Sequence, residues 1–214
     1  MQDDTRRYAP SAARNRDAIA AVLRDCLPVQ AASTLAADRH APVLEIGSGT
    51  GEHVIHFAAC FPHLTWQPTE AGGDMLASIE GWRRHAGLTN VLAPCALDVN
   101  DSPWPIQKAC AVIAINVIHY SPAHTTEALL DGAARILPVG GVLVLYGPYR
   151  RHGEHTAPSN VQFDAWLKAR DPSFGVPDLE TVRALAQTRG LHLTREVPMP
   201  ANNLSVVLTR VAPE

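Results

Sequence analysis

Val43-Leu44-Glu45-Ile46-Gly47-Ser48-Gly49-Thr50-Gly51-Glu52 is the stretch that decides the fold of this chain. The apolar run from Pro42 predicts a buried strand to Ile46, the three alternating glycines predict a tight loop, and the pattern from Glu52 onward predicts a helix. Glycine permits positive φ and removes the Cβ that keeps a ligand off the backbone. A strand, a glycine loop and a helix in this order therefore admit a nucleoside-bearing cofactor. A dinucleotide site has the spacing GxGxxG, with the pyrophosphate at the helix N-terminus. Here Gly51 arrives one residue early, and Glu52, an acid that repels phosphate, takes the expected position. Glu45, two residues before the first glycine, is placed to pair with the ammonium of an amino-acid tail. Glu45, Gly47, Ser48, Gly49 and Gly51 together favour S-adenosyl-L-methionine over NAD; the alternative is a glycine turn that holds no ligand.

Outward from this loop, short β-type runs alternate with longer helical segments, which predicts an α/β fold: a Rossmann-like, mostly parallel sheet with helices on both faces. Strands are expected from Pro42 to Ile46, Leu64 to Gln67, Val91 to Leu97, Ala109 to Ile115, Gly141 to Tyr146, Leu191 to Val197 and Leu204 to Arg210. Helices are expected from Ala12 to Leu27, Glu52 to Cys60, Asp74 to His85, His124 to Leu137, Asn160 to Arg170 and Leu179 to Arg189. The link from Pro198 to Asn203 is too short for a parallel crossover, so the last two strands should form an antiparallel hairpin. Residues 1–40 read as a helical cover and a polar, alanine-rich connector, and residues 41–214 as the core of a single domain. Gly147 to Ser159 is the least regular stretch and reads as an active-site loop.

In open α/β folds ligands bind at the carboxyl edge of the sheet. Glu70, expected just past the second strand, can accept bonds from both ribose hydroxyls; the alternative is an exposed loop glutamate. Asp98, expected to end the third strand, can accept the exocyclic amine of adenine while Val99 lines the ring, or Asp98 is a turn cap. Asn116 and His119 should emerge at the end of the fourth strand. Asn116 can hold the methionyl group, and His119, a residue type whose unperturbed pKa is near neutrality, is a candidate general base or else a core histidine. Tyr149 can stack on an acceptor or simply pack.

The chain of 214 residues has 46% hydrophobic and 18% charged residues and a formal net charge of −3. No stretch approaches the roughly 20 apolar residues needed to span a bilayer, and the N-terminus has no signal-like apolar core, so a soluble, cytoplasmic protein is expected. Cys26, Cys60, Cys95 and Cys110 are far apart and read as structural thiols, three of them in apolar company. The pairs His53/His56 and His152/His155 lack the companions of a metal site, so no metal is expected. Arg6, Arg7, Arg14 and Arg16 make one local basic cluster, but the net charge gives no general attraction to nucleic acid.

Glu45-Ile-Gly-Ser-Gly-Thr-Gly, Glu70, Asp98 and the closing hairpin resemble class I S-adenosylmethionine-dependent methyltransferases. More closely, Ala13-Arg14-Asn15, Trp66-Gln67-Pro68, Asn116 with His119, Tyr146-Gly147-Pro148-Tyr149, Ser159-Asn160 with Phe163-Asp164, and Met199-Pro200-Ala201-Asn202-Asn203 resemble the methyltransferase-like 26 family. The resemblance implies a seven-stranded sheet with a reversed last strand and S-adenosyl-L-methionine as cofactor. It also implies that Arg14, Asn15, Asn160, Asp164, Asn202 and Asn203 close over the carboxyl edge, around a small-molecule acceptor. Tyr149 and Asp164 then stand beside His119 as candidate catalytic groups. Asn116 replaces the usual acid, and the Asn-Pro-Pro-Tyr signature of amide and amino methylation is absent. Rival readings are a cofactor-binding regulatory or scaffold protein without catalysis and an NAD-dependent oxidoreductase.

Overall fold

A computed structural model of the chain describes residues 4–28 and 41–212. The elements run α1 (Pro10–Cys26), β1 (Val43–Ile46), α2 (Glu52–Cys60), β2 (Trp66–Glu70), α3 (Gly73–Ala86), β3 (Cys95–Ala96), β4 (Ala111–Ile115) and α4 (Ala123–Ile136). They continue β5 (Val142–Gly147), β6 (Arg150–Arg151), β7 (Glu154–His155), α5 (Pro158–Lys168), α6 (Leu179–Gln187), β8 (Leu191–Met199) and β9 (Asn203–Arg210). Seven strands form one sheet in the order β3-β2-β1-β4-β5-β9-β8. Neighbours from β3 to β5 pair in parallel, while β9 runs antiparallel to both β5 and β8. The expected fold and reversed last strand are therefore present, and the expected polar connector lies outside the described residues.

Every residue of β5 is buried, and nearly every residue of β1 and β4, which is why these strands read as unbroken apolar runs: both of their faces are covered. The pleat sends alternate residues into two cores. Leu143 and Leu145 pack with Leu129, Leu130 and Ala133 of α4 and Val182 of α6. Val142, Val144 and Tyr146 pack with Ile19 and Leu23 of α1 and Val54 and Phe57 of α2. Each such aliphatic side chain contributes on the order of 1.5–3 kcal/mol.

Three local expectations are corrected. Strand β2 lies two to three residues later than expected, because Pro68, a strand-stopping signal, is carried within it in register with Glu45. Glu70 therefore ends the strand instead of following it. The third strand is two residues long, not seven: Val91 makes only an isolated bridge to Trp66, and Pro94, which has no N–H to donate, interrupts the ladder before Cys95. The stretch from Gly147 to Ser159 contains an ordered two-strand ribbon, β6 with β7, turned at His152 and Gly153 with φ of 51° and 82°, the paired positive values of a tight hairpin turn. The four cysteines are free, but none is fully buried and Cys60 is exposed. Among the described residues, no helix is long and apolar enough to cross a membrane.

Candidate active site

The glycine loop joins β1 to α2 with φ of +62°, +55° and +95° at Gly47, Gly49 and Gly51. Two of the three glycines serve close packing. A Cβ on Gly47 would lie 2.9 Å from Cγ2 of Val117, and one on Gly51 would lie 2.9 Å from the Cα of Ile79. Gly49 alone faces open space. Ser48 stitches the loop to β2: its N–H donates to the Thr69 carbonyl at 2.8 Å, and its hydroxyl accepts the Thr69 N–H at 3.3 Å.

Beneath this loop Glu45 is only 2% exposed, and its Oε2 has no hydrogen-bond partner. Burial pushes its carboxyl up to about 7, with the nearby Glu70 carboxylate acting in the same direction and a bond from Ser48 opposing both. Glu70, at the end of β2, accepts the Gly49 N–H through Oε2 and the Ala71 N–H through Oε1, both at 2.9 Å. The Glu70 carboxylate thus holds the N–H of the one loop glycine whose Cβ position is open. The Leu97 N–H donates to the Glu70 carbonyl at 3.1 Å, which brings the Asp98 turn to the same edge. Asp98 is exposed, and its Oδ1 accepts the backbone N–H and the side-chain amide of Asn100 at 2.9 and 3.0 Å. The side chain of Val99 is buried in the core, and its carbonyl accepts the Trp104 indole at 3.1 Å.

Asn116 follows β4 in the left-handed region, with φ of 58°, and its N–H donates to the Tyr146 carbonyl at 2.8 Å. That turn throws the next three residues into a short 3-10 helix, Val117–His119, and drives His119 inward. His119 is 0% exposed. Its Nε2 lies 2.6 Å from the Pro148 carbonyl, an acceptor, so Nε2 carries the proton and Nδ1 is left as a buried lone pair without a partner. Burial lowers its pKa to about 4, and the ring is neutral at pH 7. A Cβ at Gly147 would collide with this ring, which explains the glycine in Tyr146-Gly147-Pro148. Tyr149 meets His119 edge-on, with ring centroids 5.6 Å apart; its hydroxyl is buried without a partner, and burial pushes its pKa up.

Asp164 on α5 is likewise enclosed. Its Oδ1 accepts the Val176 N–H at 2.7 Å and its Oδ2 the Lys168 ammonium at 2.5 Å. Burial pushes this carboxyl up, but Lys168 and the Val176 N–H outweigh it and hold the pKa below the usual value. His119, Tyr149 and Asp164 are thus all buried, which for His119 and Tyr149 is the core and packing alternative to a place at the open sheet edge.

Arg14 is exposed on α1. Asn15 is buried, and its Oδ1 accepts His53 Nε2 at 2.7 Å. Asn15 also bonds the Tyr146 hydroxyl, which accepts Asn203 Nδ2 at 3.1 Å. Nearby, Asn160 donates to the Thr156 hydroxyl and the Asn202 carbonyl, both at 3.1 Å. The asparagines singled out by resemblance are therefore brought together along one rim, Asn15 and Asn203 through Tyr146, Asn160 directly with Asn202. His53 and Tyr146 escaped the sequence reading as site residues. A signal was present: Ala12, Asn15, Ile19 and Val22 are spaced as one buried helix face, and an asparagine on such a face needs buried polar partners.

Glu52 has a role the sequence did not suggest. Its Oε2 accepts the Ala9 N–H at 2.6 Å and the Thr50 hydroxyl at 2.9 Å. The arm before α1 continues across α3, where the Arg7 N–H donates to Ser78 at 2.8 Å and the Trp82 indole donates to the Arg7 carbonyl at 2.9 Å.

The fold is similar to several solved structures. An O-methyltransferase family 2 protein from Planctomyces limnophilus, in complex with apigenin, aligns with a TM-score of 0.77 and 19% identity over 94% of this chain and 58% of that one. An O-methyltransferase family protein from Burkholderia thailandensis gives 0.71 and 16% over 93% and 59%. CalO1, a methyltransferase in calicheamicin biosynthesis in its SAH-bound form, gives 0.70 and 14% over 94% and 54%. The chain spans little more than half the length of these structures, and at such identities the likeness shows the fold. A family model described as a protein of unknown function, DUF938, matches residues 6–210, and the chain belongs to that family.

Proposed function

We propose that this chain, as one domain, binds S-adenosyl-L-methionine and transfers its methyl group to a small-molecule acceptor. The observation that carries this reading is Glu45: a buried carboxyl with an unpartnered oxygen, under a loop in which only Gly49 faces open space. A buried carboxylate is costly when alone and favourable when it meets a cation, and the ammonium of the cofactor's amino-acid tail is such a cation. Glu70 keeps lone pairs to spare for the ribose hydroxyls beside its two backbone donors. Asp98 stands at the same edge for the adenine amine, and Asn116, Asn15 and Arg14 bound the amino-acid end.

When bound, the cofactor supplies an electrophilic methyl group on a sulfonium. The residues of the chain hold and orient: collinear placement of nucleophile, methyl and sulfur is worth on the order of 7–11 kcal/mol without any strong catalytic group. Because His119, Tyr149 and Asp164 are enclosed, the acceptor either attacks through a free lone pair or gives its proton to water; His119 acts as a positioning residue under the Pro148 turn. The pairs Asn116 with His119 and Asn160 with Asp164 support a place within the methyltransferase-like 26 group, and four free thiols suit a reducing, cytoplasmic setting.

Burial of all three candidate bases also favours a second reading, cofactor binding without turnover. Parallel calorimetric titrations with S-adenosylmethionine, S-adenosylhomocysteine and NAD test the first claim. Micromolar binding of the two adenosyl ligands with none of NAD is expected; absence of adenosyl binding overturns the proposal. Transfer of labelled methyl to a panel of small acceptors separates enzyme from binding module.

A further inference from the structure

Tyr120, Phe163 and Trp166 form a cluster of rings beside the turn that carries Asn116. Tyr120 meets Phe163 and Trp166 edge-on, with centroids 6.0 and 5.6 Å apart, and Phe163 stacks on Trp166 at 5.6 Å with 21° between the planes. Despite these contacts, Tyr120 remains 42% and Trp166 41% exposed. Large rings left contiguous and open to water mark a binding surface more than a packing one.

Two features place the cluster beside the carboxyl end of β4. The Tyr120 N–H bonds to the Asn116 carbonyl at 3.4 Å and to the Val117 carbonyl at 3.2 Å, so its backbone closes the turn that starts on Asn116. Helix α5, which carries the other two rings, is anchored to the same edge: Asn160 bonds Asn202, and the Gly175 N–H that follows α5 donates to the His119 carbonyl at 3.2 Å. Arg170 lies over Trp166, 3.2 Å from the ring centroid, and covers one face of that ring, so a ligand meets Trp166 away from that face.

We propose that Tyr120, Phe163 and Trp166 are the wall on which a planar aromatic acceptor stacks. Calling the ligand an acceptor rests on the methyltransferase reading; the stacking site itself does not. Aromatic rings discriminate by shape and quadrupole, so a flat π-system gains edge and face contacts here that a saturated ring of equal size does not. In the transfer, a heteroatom of the ligand forms a bond to the methyl carbon, the sulfur–methyl bond breaks with its electron pair staying on sulfur, and any proton on the heteroatom leaves to water.

The test titrates naphthalene-2,3-diol, and separately decahydronaphthalene-2,3-diol, into the full chain preloaded with S-adenosylhomocysteine. The aromatic diol is expected to bind about tenfold more tightly than its saturated counterpart, and Tyr120→Ala and Trp166→Ala are each expected to weaken it about fivefold. Affinity for S-adenosylhomocysteine should stay unchanged in both variants, while the melting temperature falls modestly with the lost ring contacts, so affinities are read well below the transition. Equal affinity for the two diols, unchanged affinity in both variants, or no binding of the aromatic diol to the loaded protein overturns the proposal. So does a wild-type dimer that Trp166→Ala dissociates while diol affinity stays the same, because a second copy then covers the rings. Diol binding that follows the predicted pattern in a protein that fails to bind S-adenosylhomocysteine sustains the wall and sinks the cofactor reading instead.

Discussion

Of the regions of this molecule that bury polar atoms without partners, the glycine loop and the turn after β4 differ in charge. Under the glycine loop the orphan is a carboxylate oxygen, on Glu45; beyond β4 and β5 the orphans are the neutral Nδ1 of His119 and the hydroxyl of Tyr149. A neutral orphan costs about 1–3 kcal/mol and is tolerated inside a well-packed core. An ionised one costs far more, and the group either takes up a proton or awaits a cation. The first region is therefore one that a cation would stabilise, and the second is met by packing, although the sequence offers a histidine and a tyrosine at the second as prominently as a glutamate at the first.

The contrast is broken most directly at Glu45. Glu45→Gln is expected to weaken S-adenosylmethionine by about 30-fold or more, the 2–5 kcal/mol typical of truncating one partner of a buried charge pair. It should leave the ligand-free melting temperature unchanged or higher, because an amide carries no charge to desolvate. A calorimetric titration beside a thermal melt reads both, and a full-affinity variant would return Glu45 to the ranks of core residues. His119→Ala should show the opposite pattern: a loss of about 2–4 kcal/mol in stability from the cavity and the abandoned Pro148 carbonyl, measured by urea unfolding, with cofactor affinity retained. Glu70→Ala should weaken the cofactor at least about tenfold, since two charge-assisted ribose bonds are lost; unchanged binding in the folded variant removes Glu70 from the site.

The smallest effect is a pH dependence. Glu45 titrates near 7 in the folded chain against an ordinary 4.5, so the fold favours its protonated form. The Glu45 contribution to ligand-free stability is therefore greatest below pH 4.5 and is lost as pH rises through 7. Affinity for the ammonium-bearing cofactor should run the other way and fall at most about tenfold per pH unit below 7. Titrations at pH 6 and 8 check the sign, and a flat profile in the wild type would mean that Glu45 is not the partner of the ammonium.

The first strand, its glycine loop and the following helix were legible in the sequence because glycines, an acid before them and an acid near the end of the next strand are local signals. The closing hairpin was legible for the same reason, through the shortness of its link. What sequence periodicity does not carry is the direction of a residue just past a strand. Asn116 adopts a left-handed conformation, and that single dihedral turns His119 from the solvent edge to the core. The reach of a strand is equally opaque: Pro68 is absorbed within β2, whereas Pro94 cuts β3 to two residues. The bond of Asn15 to His53 joins residues far apart in sequence, and only the packing of α1 on α2 brings them together.

The insertion of β9 between β5 and β8 bears on how the chain acquires its shape during synthesis. Strand β5 is complete at Gly147, but its hydrogen-bonding neighbour does not begin until Asn203. At roughly 5–20 residues per second, the ribosome leaves an apolar strand edge without its partner for several seconds. An unpaired, all-apolar edge is a template for other chains. The nascent protein therefore passes through an interval of aggregation risk that the finished sheet does not reveal, and that interval ends only when the link from Pro200 to Asn202 has turned and β9 is made.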